Sequence, residues 1–224
     1  MPRSSTDLAG AGRNMLIVGK QGTGKTNMLG TAADNENLYI LALEGGLATI
    51  NDKKFEYDDC LTWAEFEKNC GWLFKNYKAK GYTAVGLDSF DKLQRHLIDH
   101  ISKDGKLTRD QFFEIRGKLR KVLSTFINHP DLVFLCTCHI SDEKDGDNGS
   151  VKELLSLDGA IKYEVANEFD NVCVTRVGKD SKGAPAYWLE ITGDERTVAK
   201  TRLRHLRGKS VVPADYASFI APSE

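Results

Sequence analysis

The sequence predicts an α/β protein, with a mainly parallel sheet flanked by helices and antiparallel strands added at its carboxyl-terminal end. Three observations predict it. Short apolar, β-prone runs alternate with helix-spaced segments from residue 15 onward, as buried parallel strands and their crossover helices do. The octet Gly19-Lys20-Gln21-Gly22-Thr23-Gly24-Lys25-Thr26 directly follows the first such run and precedes a helix-compatible stretch, Asn27 to Ala33. Beyond residue 168 the texture changes to β-prone runs joined by short Gly- and Asp-rich turns.

Taken in order, Met15 to Val18, Leu38 to Leu43, Ala84 to Leu87 and Leu132 to Cys138 read as buried strands. Trp63, Phe66, Cys70, Leu73, Phe74 and Tyr77 follow three-and-four spacing, with Thr62 placed to cap that helix. Phe112, Ile115, Leu119, Val122, Leu123 and Phe126 repeat the pattern, and both stripes are expected to pack on the sheet. A further helix carries Phe90, Leu93, Leu97 and Ile101. Asn171 to Val177, Ala186 to Ile191 and Arg196 to Lys200 are read as the added strands. The expected division is a short lead over 1–13, one domain over 14–209 and a tail over 210–224, whose apolar residues dock on the core or on a neighbour.

The bounds agree with one domain, since 224 residues at 41% hydrophobic content leave little room for a second. A formal net charge of −1 gives no global attraction to nucleic acid, so any such binding must be local. No apolar run approaches a membrane span and no signal region follows Met1, which predicts a cytoplasmic protein without membrane partners. Five cysteines, an odd count, then read as reduced thiols. Cys136 and Cys138 share one strand face as small hydrophobes, Cys60 and Cys70 being too widely spaced to complete a metal site with them.

The octet carries the chemistry. Gly22 and Gly24 allow dihedrals closed to residues with a Cβ, so that successive backbone N–H groups can point at phosphate oxygens with a helix N-terminus behind them. Lys25 would reach the β- and γ-phosphates, and the Thr26 hydroxyl would hold a Mg²⁺ bridging them. Asp88 ends the apolar run Tyr82 to Leu87, where a carboxylate can face Thr26 from a neighbouring strand end and join the metal shell; the alternative is a helix cap. Glu44 ends the strand after the first helix, at the ligand-binding end of open α/β sheets, where it can deprotonate an attacking water. A solvated strand-end glutamate is the alternative.

The order of this loop, a strand ending in Glu44, a strand ending in Asp88 and one ending in Cys138-His139 resembles the ATPase core of the RecA family. It is most similar to short phage-type RecA-like ATPases that act as single-strand annealing or recombination proteins, over residues 14 to 209. The resemblance implies a RecA-type P-loop core that uses ATP and Mg²⁺, with Gly19 to Thr26 on the phosphates, Glu44 as catalytic base and Asp88 as metal-shell aspartate. It implies that His139 stands where the family has a polar γ-phosphate sensor. It also implies single-stranded DNA as partner, a homo-oligomeric ring or filament, a single-strand binding protein as a further partner, and the host cytoplasm for a phage-encoded chain.

Two loops are candidates for nucleic-acid contact. One, Ser102 to Arg109, carries Lys103, Lys106 and Arg109; the other, Ser141 to Ser156, is polar, carries Lys144 and Lys152, and reads as ordering on binding, although Asp142, Glu143, Asp145 and Asp147 would repel phosphate. The late run Arg196 to Lys209 is the clearest basic stretch, with charges at 200, 202 and 204 on one face if the strand continues. By resemblance Lys200 and Arg202 are trans-acting fingers on a neighbour's nucleotide, which leaves Arg204 and Arg207 for DNA; an edge strand protected by charge is the alternative. The expected function is an ATPase stimulated by single-stranded DNA. A nucleotide-switched loader and a small-molecule phosphotransferase are the alternatives.

Overall fold

The computed structural model describes residues 12–102, 104, 106–144 and 150–220. Its strands are β1 (Met15–Gly19), β2 (Leu38–Ala42), β3 (Glu56–Asp59), β4 (Ala84–Asp88), β5 (Val133–Lys144), β6 (Val151–Leu155), β7 (Asn171–Lys179), β8 (Pro185–Glu190) and β9 (Val211–Pro213). They form one sheet in the order β3-β2-β4-β5-β1-β7-β8-β9, with β6 paired to β5. Pairings from β3 to β7 are parallel, whereas β5 with β6, β7 with β8 and β8 with β9 are antiparallel. The mixed α/β sheet is thus the expected one.

Strand pleating divides the core in two. Leu16 and Val18 of β1, Tyr39 and Leu41 of β2, and Phe134, Cys136 and Cys138 of β5 face one cluster. Met15, Ile17, Leu38, Ile40, Val133 and Leu135, their alternates, face the other. The first cluster is covered by α2 (Trp63–Lys80), α3 (Phe90–Ile101) and α4 (Arg109–Ile127). The second is covered by α1 (Lys25–Thr31) and by α6 (Tyr216–Ile220), which buries Tyr216 and Phe219. The short α5 (Val165–Glu168) adds Val165 and Ala166 to the first cluster. Thr62 caps α2 by accepting the Glu65 N–H, and Thr108 with Gln111 forms a reciprocal capping box on α4. The end residues 211–220 dock on this chain's own core.

Four expectations change. Ser141 to Ser156 is not a loop where it is described, because β5 runs on to Lys144 and pairs with β6 from Ile140–Leu155 to Lys144–Val151. Glu143 stands opposite Lys152 in that ladder, and such opposite charges favour pairing; 145–149 lie outside the described residues. Arg196 to Lys200 is not a strand. Asp194 Oδ1 accepts the N–H groups of Arg196 and Thr197, turning the backbone aside, and only an isolated bridge between Lys200 and Val172 remains. Positions 200, 202 and 204 therefore share no strand face, and Arg204 opens a short 3-10 turn, Arg204–Leu206. Phe112, expected in the core, is 46% exposed, and with Phe113 it borders a cleft of about 190 Å³ between α3, α4 and residues 158–161.

Strand register sets up the site. β1 lies between β5 and β7, ending where Gly19 meets His139. Both neighbours continue beyond it, each doubled back by an antiparallel partner. Two β arms therefore rise beside the loop that follows Gly19. Arg176 of β7 joins them, with both guanidinium NH₂ groups on Glu153 of β6 at 2.6 Å and Nε on Glu190 at 2.9 Å.

Candidate nucleotide site

The loop after β1 has the predicted backbone. Gly22 and Gly24 take φ of +77° and +91°, conformations that L side chains rarely adopt. Gly19 is required for a different reason, because a Cβ there would lie 2.1 Å from Thr175 Oγ1 and 2.4 Å from Thr23 Oγ1. Those two hydroxyls bond each other at 2.7 Å, tying the loop to β7. Lys25, 6% exposed, donates from Nζ to the carbonyls of Gly19 at 3.1 Å and Lys20 at 3.0 Å. Burial pulls its pKa below the ordinary lysine value, while Asp91, Glu44 and Asp88 oppose that shift. Lys20 points away from the loop, its Nζ 2.8 Å from Asp142 on the first arm.

Asp88 lies where the metal reading needs it. Thr26 Oγ1 donates to Asp88 Oδ2 at 2.9 Å, and Thr137 of β5 donates to Oδ1. The carboxylate is fully buried and its pKa is raised by that burial, against the bonds from Thr137 and Thr26. It does not act as the helix cap, since Ser89 is the N-cap residue of α3 and makes no side-chain capping bond. Among the described residues no three His, Cys, Asp or Glu side chains converge to hold a metal unaided. Thr26 and Asp88 offer a hydroxyl and a carboxylate oxygen side by side, which suits Mg²⁺ completed by phosphate and water oxygens.

Glu44 and His139 join Lys25 and Thr26 around one cleft of about 530 Å³, which Gln21, Gly22 and Tyr187 also line. Gly46, behind Glu44, packs beside Thr26 and Asp88. His139 is held from behind, its ring Nδ1 3.0 Å from Asp91 Oδ2 and its backbone N–H donating to Oδ1 at 3.1 Å. Asp91 and Tyr187 escaped the sequence reading. Asp91 looks like an acidic residue in the first turn of a helix, and Tyr187 like one position in an alternating strand. The Tyr187 ring lies against Gly24 at the border of the cleft.

The other expected residues are spread elsewhere. Lys200 bridges Val172, which pairs with Leu16, so it sits at the amino-terminal end of β1, about 10 Å of strand away from the loop. Its Nζ donates to the Asn167 carbonyl at 3.4 Å, and Arg202 is paired with Asp170 at 2.6 Å. Arg204 and Arg207 are exposed around the 3-10 turn. Lys106 lies in the connection from α3 to α4 and Arg109 is the first residue of α4, its guanidinium 5.7 Å from the Phe113 ring centre. Lys103 lies outside the described residues. Lys144 and Lys152 face each other's arm strand, in β5 and β6.

A glycine-rich loop between strand and helix, with a buried strand-end aspartate on its Thr, defines a P-loop ATPase domain of RecA-type α/β architecture. A family model described as "AAA domain" matches residues 11–203, and the chain belongs to that family. No curated protein matches the chain. Among solved structures it is similar to an ATPase from the type III secretion system of pathogenic bacteria, at 18% identity and a TM-score of 0.50. That match covers 74% of this chain and 52% of the secretion ATPase, so the chain spans about half its length. A KaiC-like protein from the hyperthermophilic archaeon Pyrococcus horikoshii OT3 aligns at 13% identity and a TM-score of 0.48, over 84% of this chain and 82% of that one. Among the described residues no helix is long and apolar enough to cross a membrane.

Proposed function

We propose that this chain is a Mg²⁺-dependent ATPase that acts on single-stranded DNA as an oligomer, in recombination or strand annealing. The observation that carries the ATPase reading is the 2.9 Å bond from Thr26 to the buried Asp88, in the same cleft as Lys25, Glu44 and His139. In this reading the loop N–H groups and Lys25 bind the phosphates, and Thr26 and Asp88 would hold Mg²⁺, which would supply charge neutralisation to the phosphate chain. Glu44 orients and deprotonates the attacking water. His139 meets the terminal phosphate.

The DNA part rests on surface chemistry. Phe112 and Phe113 are exposed, with the Arg109 guanidinium over the Phe113 ring, and aromatic faces next to a cation suit the stacked bases and backbone of a single strand. The acids expected to repel phosphate on the first arm are neutralised where they are described. Asp142 pairs with Lys20 and Glu143 with Lys162 at 2.7 Å, while Lys144 is exposed. Lys200 and Arg202 lie at the other end of β1 from their own loop, so in this reading they serve a neighbouring subunit's nucleotide. The Arg202–Asp170 pair is an exposed one whose release costs about 1 kcal/mol or less. The test is ATP turnover measured with and without single-stranded DNA. Stimulation is the expected result. Equal rates would favour a loader or phosphotransferase, and a protein that binds ATP without turnover would be a switch.

A further inference from the structure

We propose that Asp91 is a positioning residue that fixes the tautomer and direction of His139, so that ring Nε2 is the nitrogen presented to the terminal phosphate. This rests on the nucleotide reading of the cleft and adds to it a residue outside the motifs. Asp91 grips His139 twice, through its ring Nδ1 at 3.0 Å and its backbone N–H at 3.1 Å. A carboxylate accepts hydrogen bonds and donates none, so an ionised Asp91 puts the proton on Nδ1. Burial pushes the Asp91 pKa up, but the side-chain and backbone bonds from His139 outweigh it and hold it below the usual range. With Nδ1 taken, Nε2 remains for a ligand in the cleft that the ring lines.

The same placement explains why an acidic side chain is tolerated near a phosphate loop. Asp91 lies in the first turn of the 12-residue α3, where the helix dipole favours negative charge, and its side chain is only 14% exposed behind the ring. The charged groups that share the cleft or interact with His139 are Lys25 on α1, Asp88 on β4, Asp91 on α3 and Glu44 beyond β2. Of these, only Asp91 bonds the ring. The grip also reaches the first arm, since the His139 carbonyl accepts the Ser156 N–H at 2.8 Å, closing the β5–β6 hairpin.

The experiment compares binding of ATP and ADP to the wild-type chain, Asp91→Asn and Asp91→Glu, and reads the His139 tautomer by ¹⁵N NMR in the ligand-free protein. The wild type should show the Nδ1-protonated form. Asp91→Asn should lose about tenfold in ATP affinity with ADP affinity unchanged, and Asp91→Glu should restore most of it. In a His139→Gln background, Asp91→Asn should add nothing to the ATP–ADP difference. An Nε2-protonated ring in the wild type, or equal losses for ATP and ADP, would overturn the assignment. If the wild type binds neither nucleotide, the ATPase reading fails, while the NMR result still decides whether Asp91 sets the tautomer.

Discussion

The two ends of the central sheet use polar groups in opposite ways. At the amino-terminal end, the fully buried Asn171 donates to the carbonyls of Gly12 at 2.5 Å and Asn14 at 3.1 Å. It accepts from Thr201 Oγ1 at 2.8 Å and the Arg202 N–H at 3.3 Å. Every hydrogen-bonding site of that amide has a protein partner, and the result is a seam between β7 and the lead into β1. At the carboxyl-terminal end, Lys25 and Glu44 border a cleft and Asp88 lies buried behind Thr26, with the lysine and aspartate both drawn toward neutrality by burial. Closure makes structure there; an incompletely compensated set of charges makes a binding site here.

Four substitutions sharpen or break this contrast. Lys25→Ala should lower ATP turnover by more than ~10²-fold, because no other loop side chain carries charge to the phosphates. Thermal stability should hold, and a steady turnover rate would remove the basis of the site. Glu44→Gln keeps shape but deletes the base, so hydrolysis should fall by ~10²-fold with ATP binding retained. Parallel loss of binding would make Glu44 a structural or metal-shell residue.

Asn171→Ala should do the reverse at the other end, lowering unfolding free energy by about 2–3 kcal/mol in a denaturant titration while turnover per folded molecule stays the same. A turnover defect would show that the ends are coupled. The smallest effect belongs to Asp88→Asn without nucleotide or metal. A carboxyl whose folded pKa lies above its unfolded value of about 3.9 destabilises the fold once ionised, and that cost fades as pH falls through the folded pKa. The neutral amide should therefore melt higher than wild type at pH 7, with the gap closing on acidification toward pH 4. A lower melting point at pH 7 would show that the bonds from Thr26 and Thr137 need the ionised group.

What the sequence disclosed follows the same physics. β1, β2, β4 and the first half of β5 are buried on both faces and read as apolar runs. β3, Glu56-Tyr57-Asp58-Asp59, carries residues depleted in strands and exists because β2 offers it a parallel ladder at the sheet edge. β9 is three residues long, too short for any pattern. Residues 196–200 look β-prone, but the Asp194 turn is a local side-chain effect that composition does not display. In the site, Lys25, Thr26, Asp88 and Glu44 were legible from their places at a loop or strand end and His139 through the family resemblance, and the structure gathers them in one place. Asp91 and Tyr187 were not, since each meets the site only through tertiary contact.

The paired hydrogen bonds from Arg176 to Glu153 have a mechanical meaning. Side chains 25% and 14% exposed hold that pair, and separating a partly buried bidentate pair is costly. Two β arms clasped this way cannot flex separately. While the clasp holds, a push on one arm, whether through His139 or through Lys20 on Asp142, is a push on both. The loop between them thus sits inside a stiff yoke, and what it senses is delivered as the displacement of a single body rather than the bending of a strand.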